Sequence, residues 1–177
     1  PVSPSLLQHA ILDVFGQRVV DEDSSGLPQE LRIPAKYRGR RVLLAEDNEV
    51  NQLVAKELLE SAGFVVDIAS SGLEALQKAE GTDYTMVFMD IHMPQMDGIE
   101  AAKRLRAQAR YAHTPIIALT ADSMVGDREK SLAAGMNDHL AKPIDPYRLI
   151  EVAVQWLEWR AEQVAQAGDS GQSGQPE

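Results

Sequence analysis

From Arg41 onward the apolar positions alternate between two periods. Five short continuous runs, at residues 41–45, 64–69, 84–89, 115–119 and 138–141, read as strands buried in a sheet. Between them, apolar residues recur every three or four positions, as on one face of a helix. Val50, Leu53, Val54, Leu58, Leu59 and Ala62 make the first such stripe, and Gly63 ends it. Ser71 and Glu74 have capping-box spacing at the start of a short helix through Lys78. Asp97 and Glu100 repeat that spacing before a helix to about residue 108, with Ile99, Ala102, Leu105 and the stem of Lys103 facing inward. A helix over 125–134 ends at Gly135, and Lys142-Pro143 leads into the last one. Strict strand–helix alternation predicts an α/β fold. Five such units fit a flavodoxin-like, doubly wound parallel sheet of order 2-1-3-4-5.

The flanks follow other patterns. Residues 1–17 read as an extra N-terminal helix, with Ser3 as N-cap, Pro4 in its first turn, Gly16 as its stop and Leu6, Leu7, Ala10, Ile11 and Val14 as its stripe. Residues 143–157 can be laid over residues 1–15 with both prolines in register, and Asp145-Pro146 repeats the cap of Ser3-Pro4. The expectation is that 1–17 is the last helix of a truncated preceding domain of the same type. Residues 18–39, acidic and Ser/Gly/Pro-bearing and then basic, carry no period and read as linker. The main domain is expected over 40–160. The Gly/Ser/Gln-rich stretch within 161–177 reads as a flexible tail.

Composition narrows the function. A chain of 177 residues, 44% apolar, suffices for one full core with appendages. A net charge of -10 argues against a nucleic-acid-binding surface, and the basic cluster at 36–41 is too short to reverse this. The absence of cysteine excludes disulfides and thiolate metal sites. No apolar run approaches the roughly 20 residues needed to span a bilayer, so no direct membrane contact is expected. A cytoplasmic setting follows as the expectation, with any membrane anchor of the parent lying elsewhere.

The chemistry concentrates at strand ends. Asp90 closes one apolar run, Glu46 and Asp47 another, Thr120 a third and Lys142 a fourth. In open α/β sheets ligands bind outside the carboxyl ends of the strands. If the strands are neighbours, three carboxylates converge, and each pair at ~4 Å repels by about 4 kcal/mol at a surface-like dielectric. Such a cluster needs a cation or a raised pKa, and as a cation site an all-oxygen one suits Mg²⁺ better than a softer metal. Acids, a hydroxyl and an ammonium are also the parts that phosphoryl transfer requires. His9, His92 and His113 lack metal-ligand spacing and read as structural or solvent-facing. Trp156, Trp159 and Tyr147 fall on the final helix, where one face is core and the other offers a homodimer contact; the N-terminal helix offers a second.

LLAEDN, MDIHMPQMDG, ALTAD and AAGMNDHLAKPI, taken in order over about residues 40–160, resemble the response-regulator receiver domain, and AEDNEVNQLVA most resembles receivers of hybrid sensor histidine kinases. The resemblance implies the same strand order and a role in a two-component His-Asp phosphorelay. It implies that Asp90 accepts a phosphoryl group from a phosphohistidine-bearing kinase or phosphotransfer domain and passes it on to a phosphotransfer domain. Asp47, Asp90 and the backbone carbonyl of His92 would bind Mg²⁺, with Glu46 acting through water. Lys142 would pair with a phosphoryl oxygen, Thr120 would rotate to hydrogen-bond another, and the Lys142-Pro143 bond would be cis. His139 stands where the family often has a switching aromatic; it is smaller and can carry charge. With no Gly-rich loop or P-loop, this segment is expected to lack ATP-dependent kinase activity, while its parent would be a histidine kinase. Two alternatives remain at this point: a non-catalytic receiver-like docking or dimerisation module, and a haloacid-dehalogenase-like phosphatase. The latter resembles a family with a second aspartate two residues after the first, where this chain has His92.

Overall fold

The computed structural model describes residues 31–121 and 125–169. Five parallel strands form one sheet: β1 (Arg41–Ala45), β2 (Val65–Ala69), β3 (Met86–Asp90), β4 (Ile116–Thr120) and β5 (Asp138–Ala141), in the order β2-β1-β3-β4-β5. Five helices connect or follow them: α1 (Glu49–Ala62), α2 (Gly72–Gly81), α3 (Gly98–Arg106), α4 (Val125–Ala133) and α5 (Pro146–Asp169). This is the expected flavodoxin-like architecture and strand order, with strand starts moved by one or two residues. The expected extra helix at 1–17 lies outside the described residues.

Both sheet faces are covered, which is why the central strands are apolar throughout. Val42, Leu44, Phe88, Ile117 and Leu119 pack with α1 and α5, while Leu43, Val87, Met89, Ile116 and Ala118 pack with α2 and α3. Ser71 Oγ accepts the Glu74 N–H at 3.1 Å, and the Glu74 carboxylate reaches back to the Ser70 N–H at 2.8 Å, so the capping pair closes one residue early. Asp97 caps α3 through the Glu100 N–H at 2.8 Å, but Glu100 turns outward to Arg104. Gly63, at φ 118°, ends α1 in the left-handed conformation a glycine supplies.

Four expectations need correction. On α1, Val50 is 67% and Leu53 49% exposed; the inward face is Ala55, Leu58, Leu59 and Ala62, preceded in its first turn by polar Asn51 and Gln52. On α3, Lys103 is exposed and Ala101 takes the inward place. That helix stops at Arg106, whose guanidinium donates to the carbonyls of Tyr111, Thr114 and Gly135 and to Asn137 Oδ1, tying the loops below β4 together. Residues 161–169, read as the start of the tail, continue α5, since Ala, Glu and Gln sustain a helix that packing has already nucleated.

The last correction concerns the linker. Within 18–39, Leu31, Ile33 and Tyr37 are buried in the core on the α1 and α5 side. The Ile33 N–H bonds the Ala62 carbonyl at 3.1 Å, Gly39 bonds Gly63 at 2.8 Å, and Lys36 pairs with Glu158 of α5 at 2.9 Å. Three isolated apolar residues in a polar stretch have no period to betray them, yet together they form a strap. Ile33→Ala should cost about 2–5 kcal/mol of unfolding free energy, as other large-to-small changes in a packed core do. Denaturant titration of that variant beside Lys36→Ala, which removes an exposed pair with Glu158 and an ammonium contact over the Tyr37 ring but no buried apolar side chain, checks this; equal, small effects would mean the strap is not anchored.

Candidate functional site

Parallel pairing brings the strand ends together. Ala45 of β1 lies opposite Met89 of β3, so Glu46 and Asp47 leave the sheet beside Asp90. Asp90 lies opposite Leu119 of β4, and Thr120 opposite Ala141 of β5, which hands the chain to Lys142. The Lys142-Pro143 peptide bond is cis.

The side chains converge as the strand ends do. One carboxylate oxygen from each of Glu46, Asp47 and Asp90 lies within 4.8 Å of the others. Lys142 Nζ is 2.7 Å from Glu46 Oε2 and 2.7 Å from Asp90 Oδ2. Glu46 and Asp90 are buried, whereas Asp47 is exposed at the mouth. Burial alone would push the Lys142 ammonium down, but its hydrogen bond to Asp90 and its close pairing with the Glu46 carboxylate outweigh that and hold it above the usual lysine value. It is therefore charged at neutral pH.

Hydrogen bonds fix how the two buried acids point. Asp90 Oδ1 accepts the His92 N–H at 3.1 Å, leaving Oδ2 to the lysine. Glu46 Oε1 accepts the Asn48 N–H at 3.1 Å and the Asn51 amide at 3.3 Å. The Gln52 amide donates to the Glu46 carbonyl at 2.6 Å. Glu46 Oε2 meets the ammonium off the hydrogen-bond axis, so a buried oxygen keeps accepting capacity aimed into the site.

These residues fit a hard divalent cation. Three negative charges face one positive charge, two of the acids are screened from water, and all the free donors are oxygens. Glu46, Asp47 and Asp90 are the side chains that would hold it.

Thr120 is buried in the last position of β4, its hydroxyl donating to the Leu140 carbonyl over a long 3.5 Å, so it is only loosely held. His92 is mostly exposed, and its ring lies 3.5 Å from Asp127 in the first turn of α4, across the mouth. His139 is not drawn in with the others. Its ring faces Asp138 at 3.6 Å, and no hydrogen bond or ion pair among the described residues joins it to Thr120 or Asp90. Trp156 holds the other Asp138 oxygen through Nε1 at 3.0 Å.

Sequence reasoning missed Asn48, Asn51 and Gln52. The signal was present: three amides directly after an acid pair, where the apolar stripe of α1 ought to begin. It also missed why the loop after Asp90 ends in Gly98. A Cβ there would come 2.0 Å from the Asp90 carbonyl oxygen, so α3 presses on the strand end that carries the acid.

A family model described as the response regulator receiver domain matches residues 42–154. The sensor protein GacS of Pseudomonas syringae pv. syringae is 34% identical over 159 residues, covering 88% of this chain and 17% of that protein. The signal transduction histidine-protein kinase BarA of Escherichia coli K12 is 41% identical over 108 residues, covering 61% of this chain and 12% of BarA. The chain thus spans less than a fifth of these relatives. Among solved structures, the receiver domain of sensor histidine kinase PA1611 from Pseudomonas aeruginosa PAO1, with a magnesium ion coordinated in its active site cleft, is 42% identical. It superposes with a TM-score of 0.65 over 68% of this chain and 98% of that one. A Saccharomyces cerevisiae receiver domain, from the response regulator Ssk1 in complex with the histidine phosphotransfer protein Ypd1, gives 0.62 at 31% identity over 67% of this chain and 89% of that one.

Removing the shared ammonium should leave two buried carboxylates facing each other. Without divalent cation at neutral pH, Lys142→Met should destabilise the fold by about 3 kcal/mol, the lower end for a broken buried pair because the lysine is partly exposed. Acid that neutralises the facing carboxylates relieves their repulsion, so the deficit should shrink as pH falls toward 5. Denaturant unfolding at both pH values reads it; a deficit that grows on acidification would contradict the pairing.

Proposed function

The chain belongs to the response regulator receiver family, and from that premise we propose that it is the phosphoacceptor of a His-Asp phosphorelay within a hybrid sensor histidine kinase. The observation that carries this reading is the buried Asp90 carboxylate shared between Lys142 and the Glu46–Asp47 pair.

An Asp90 oxygen attacks the phosphorus of a phosphohistidine, the P–N bond breaks, and the imidazole leaves and takes up a proton. The product is an acyl phosphate on Asp90. When bound, Mg²⁺ would neutralise charge on the acids and on the phosphoryl oxygens. Before transfer, Lys142 holds and aims Asp90 across 2.7 Å; afterwards its ammonium is free to pair with a phosphoryl oxygen in place of the carboxylate. The His92 N–H holds the second Asp90 oxygen in place. Thr120, whose present hydrogen bond is long, gives it up at little cost to donate to another phosphoryl oxygen. Hydrolysis reverses the gain: water attacks the phosphorus, the P–O bond to Asp90 breaks, and inorganic phosphate leaves with the Asp90 carboxylate restored.

The partner is a histidine phosphotransfer or kinase domain that brings its imidazole to the mouth. Val50 and Leu53 support this reading, because they are exposed apolar residues on the same two turns of α1 whose other side touches Glu46. Among the described residues no helix is long and apolar enough to cross a membrane.

With acetyl phosphate and Mg²⁺, the wild-type chain should gain one phosphoryl mass and bind beryllofluoride, while Asp90→Asn should do neither. Intact mass spectrometry decides this, and a wild-type chain that gains no mass would favour a docking module that never turns over phosphate. Leu53→Glu together with Val50→Glu should slow phosphotransfer from a phosphohistidine domain at least tenfold while leaving acetyl phosphate loading unchanged. Equal slowing of both reactions would place those residues in the site rather than on a docking face.

A further inference from the structure

The first turn of α1 carries polar side chains where the helix should be starting its apolar face. Asn51 is half-buried and one turn before Ala55 on the stripe that continues through Leu58, Leu59 and Ala62. An inward amide costs desolvation unless it is bonded. Capping does not call for it, since Asn48 Oδ1 already accepts the N–H groups of Val50 and Asn51. The Asn51 amide instead points back to Glu46 Oε1 at 3.3 Å, where the Asn48 N–H also arrives at 3.1 Å.

The consequence is an asymmetric carboxylate. Oε1 is occupied by two donors from α1, while Oε2 is buried, lacks a well-aligned hydrogen bond and faces Lys142 at 2.7 Å. Without Asn51 the Glu46 side chain would keep one donor on Oε1 and gain freedom to rotate, because glutamate has one more torsion than aspartate and no other described side chain donates to it apart from the lysine. Gln52 restrains only the Glu46 backbone, through its carbonyl.

We infer that Asn51 is a positioning residue for divalent-cation binding, acting through Glu46: by occupying Oε1 it keeps Oε2 turned toward the shared site. This rests on the proposed cation site. Groups one shell out from a metal typically change its affinity 10- to 100-fold when removed.

The test is a double-mutant cycle read by Mn²⁺ binding, with free ion followed by electron paramagnetic resonance on the full chain. Asn51→Leu, similar in size but without a donor, should weaken Mn²⁺ about tenfold. Asn51→Gln, which keeps an amide on a longer stem, should recover most of that loss. In a Glu46→Gln background, where Asp47 and Asp90 remain to bind the ion, the same Asn51→Leu change should cost less than twofold. Equal Kd for wild type and Asn51→Leu would overturn the inference, as would an equal loss in both backgrounds, the signature of a general disturbance of α1. A wild-type chain that binds no Mn²⁺, or binds it undiminished in Asp90→Asn, would instead overturn the cation site itself.

Discussion

One ammonium held between two buried carboxylates is the constraint on which the rest of this structure depends. Lys142 lies at the end of the last strand, Glu46 at the end of the first and Asp90 at the end of the third, so the contact is satisfied only when β1, β3, β4 and β5 hold their register. A slip of one residue would turn each of these side chains to the opposite face of the sheet. The chain tolerates so much charge out of water because the charges face one another, and because backbone and amide donors take up the remaining oxygens.

The surrounding loops are fitted tightly to that contact. Gly98 lets α3 begin against the carbonyl of Asp90, and Gly72 lets α2 approach the Met96 carbonyl, where a Cβ would come to 2.5 Å. Its N–H bonds that same carbonyl at 3.1 Å, so the loop leaving Asp90 is pinned by the starts of two helices. Arg106 does the equivalent below the sheet with five acceptors, the carbonyls of Tyr111, Ala112, Thr114 and Gly135 and Asn137 Oδ1. Rigidity on this side contrasts with Thr120, which is buried yet barely engaged, and with Asp47, which is left to solvent. The site combines an acid that cannot wander with neighbours that can respond.

Much of this was legible before any coordinates. Buried parallel strands write themselves as continuous apolar runs, and the charged residue that ends each run marks the face where they converge, so Asp90, Asp47, Glu46, Thr120 and Lys142 could be named from position alone. What stayed hidden followed a different logic. Val50 and Leu53 continue the helical period numerically but fall on the outer side, because the inner side of that turn is given to amides serving Glu46. Leu31, Ile33 and Tyr37 are too few and too scattered to form a pattern, and only the groove between α1 and α5 makes them a unit. His139 occupies a position where the family resemblance suggested a switch, and its ring lies 3.6 Å from Asp138, its neighbour in the chain.

The anchored segment from Leu31 to Tyr37 bears on mechanics. Because Ile33 is hydrogen-bonded to the end of α1 and Lys36 is paired with α5, sequence upstream is attached to the module by a bracket and not by a leash. A flexible tether lets a neighbouring module sample a wide volume at low local concentration, whereas a stiff attachment narrows that volume and fixes an approach angle. Reach toward Asp90 from that direction is therefore measured from the anchored position of Leu31 and not from Arg40 at the edge of the sheet.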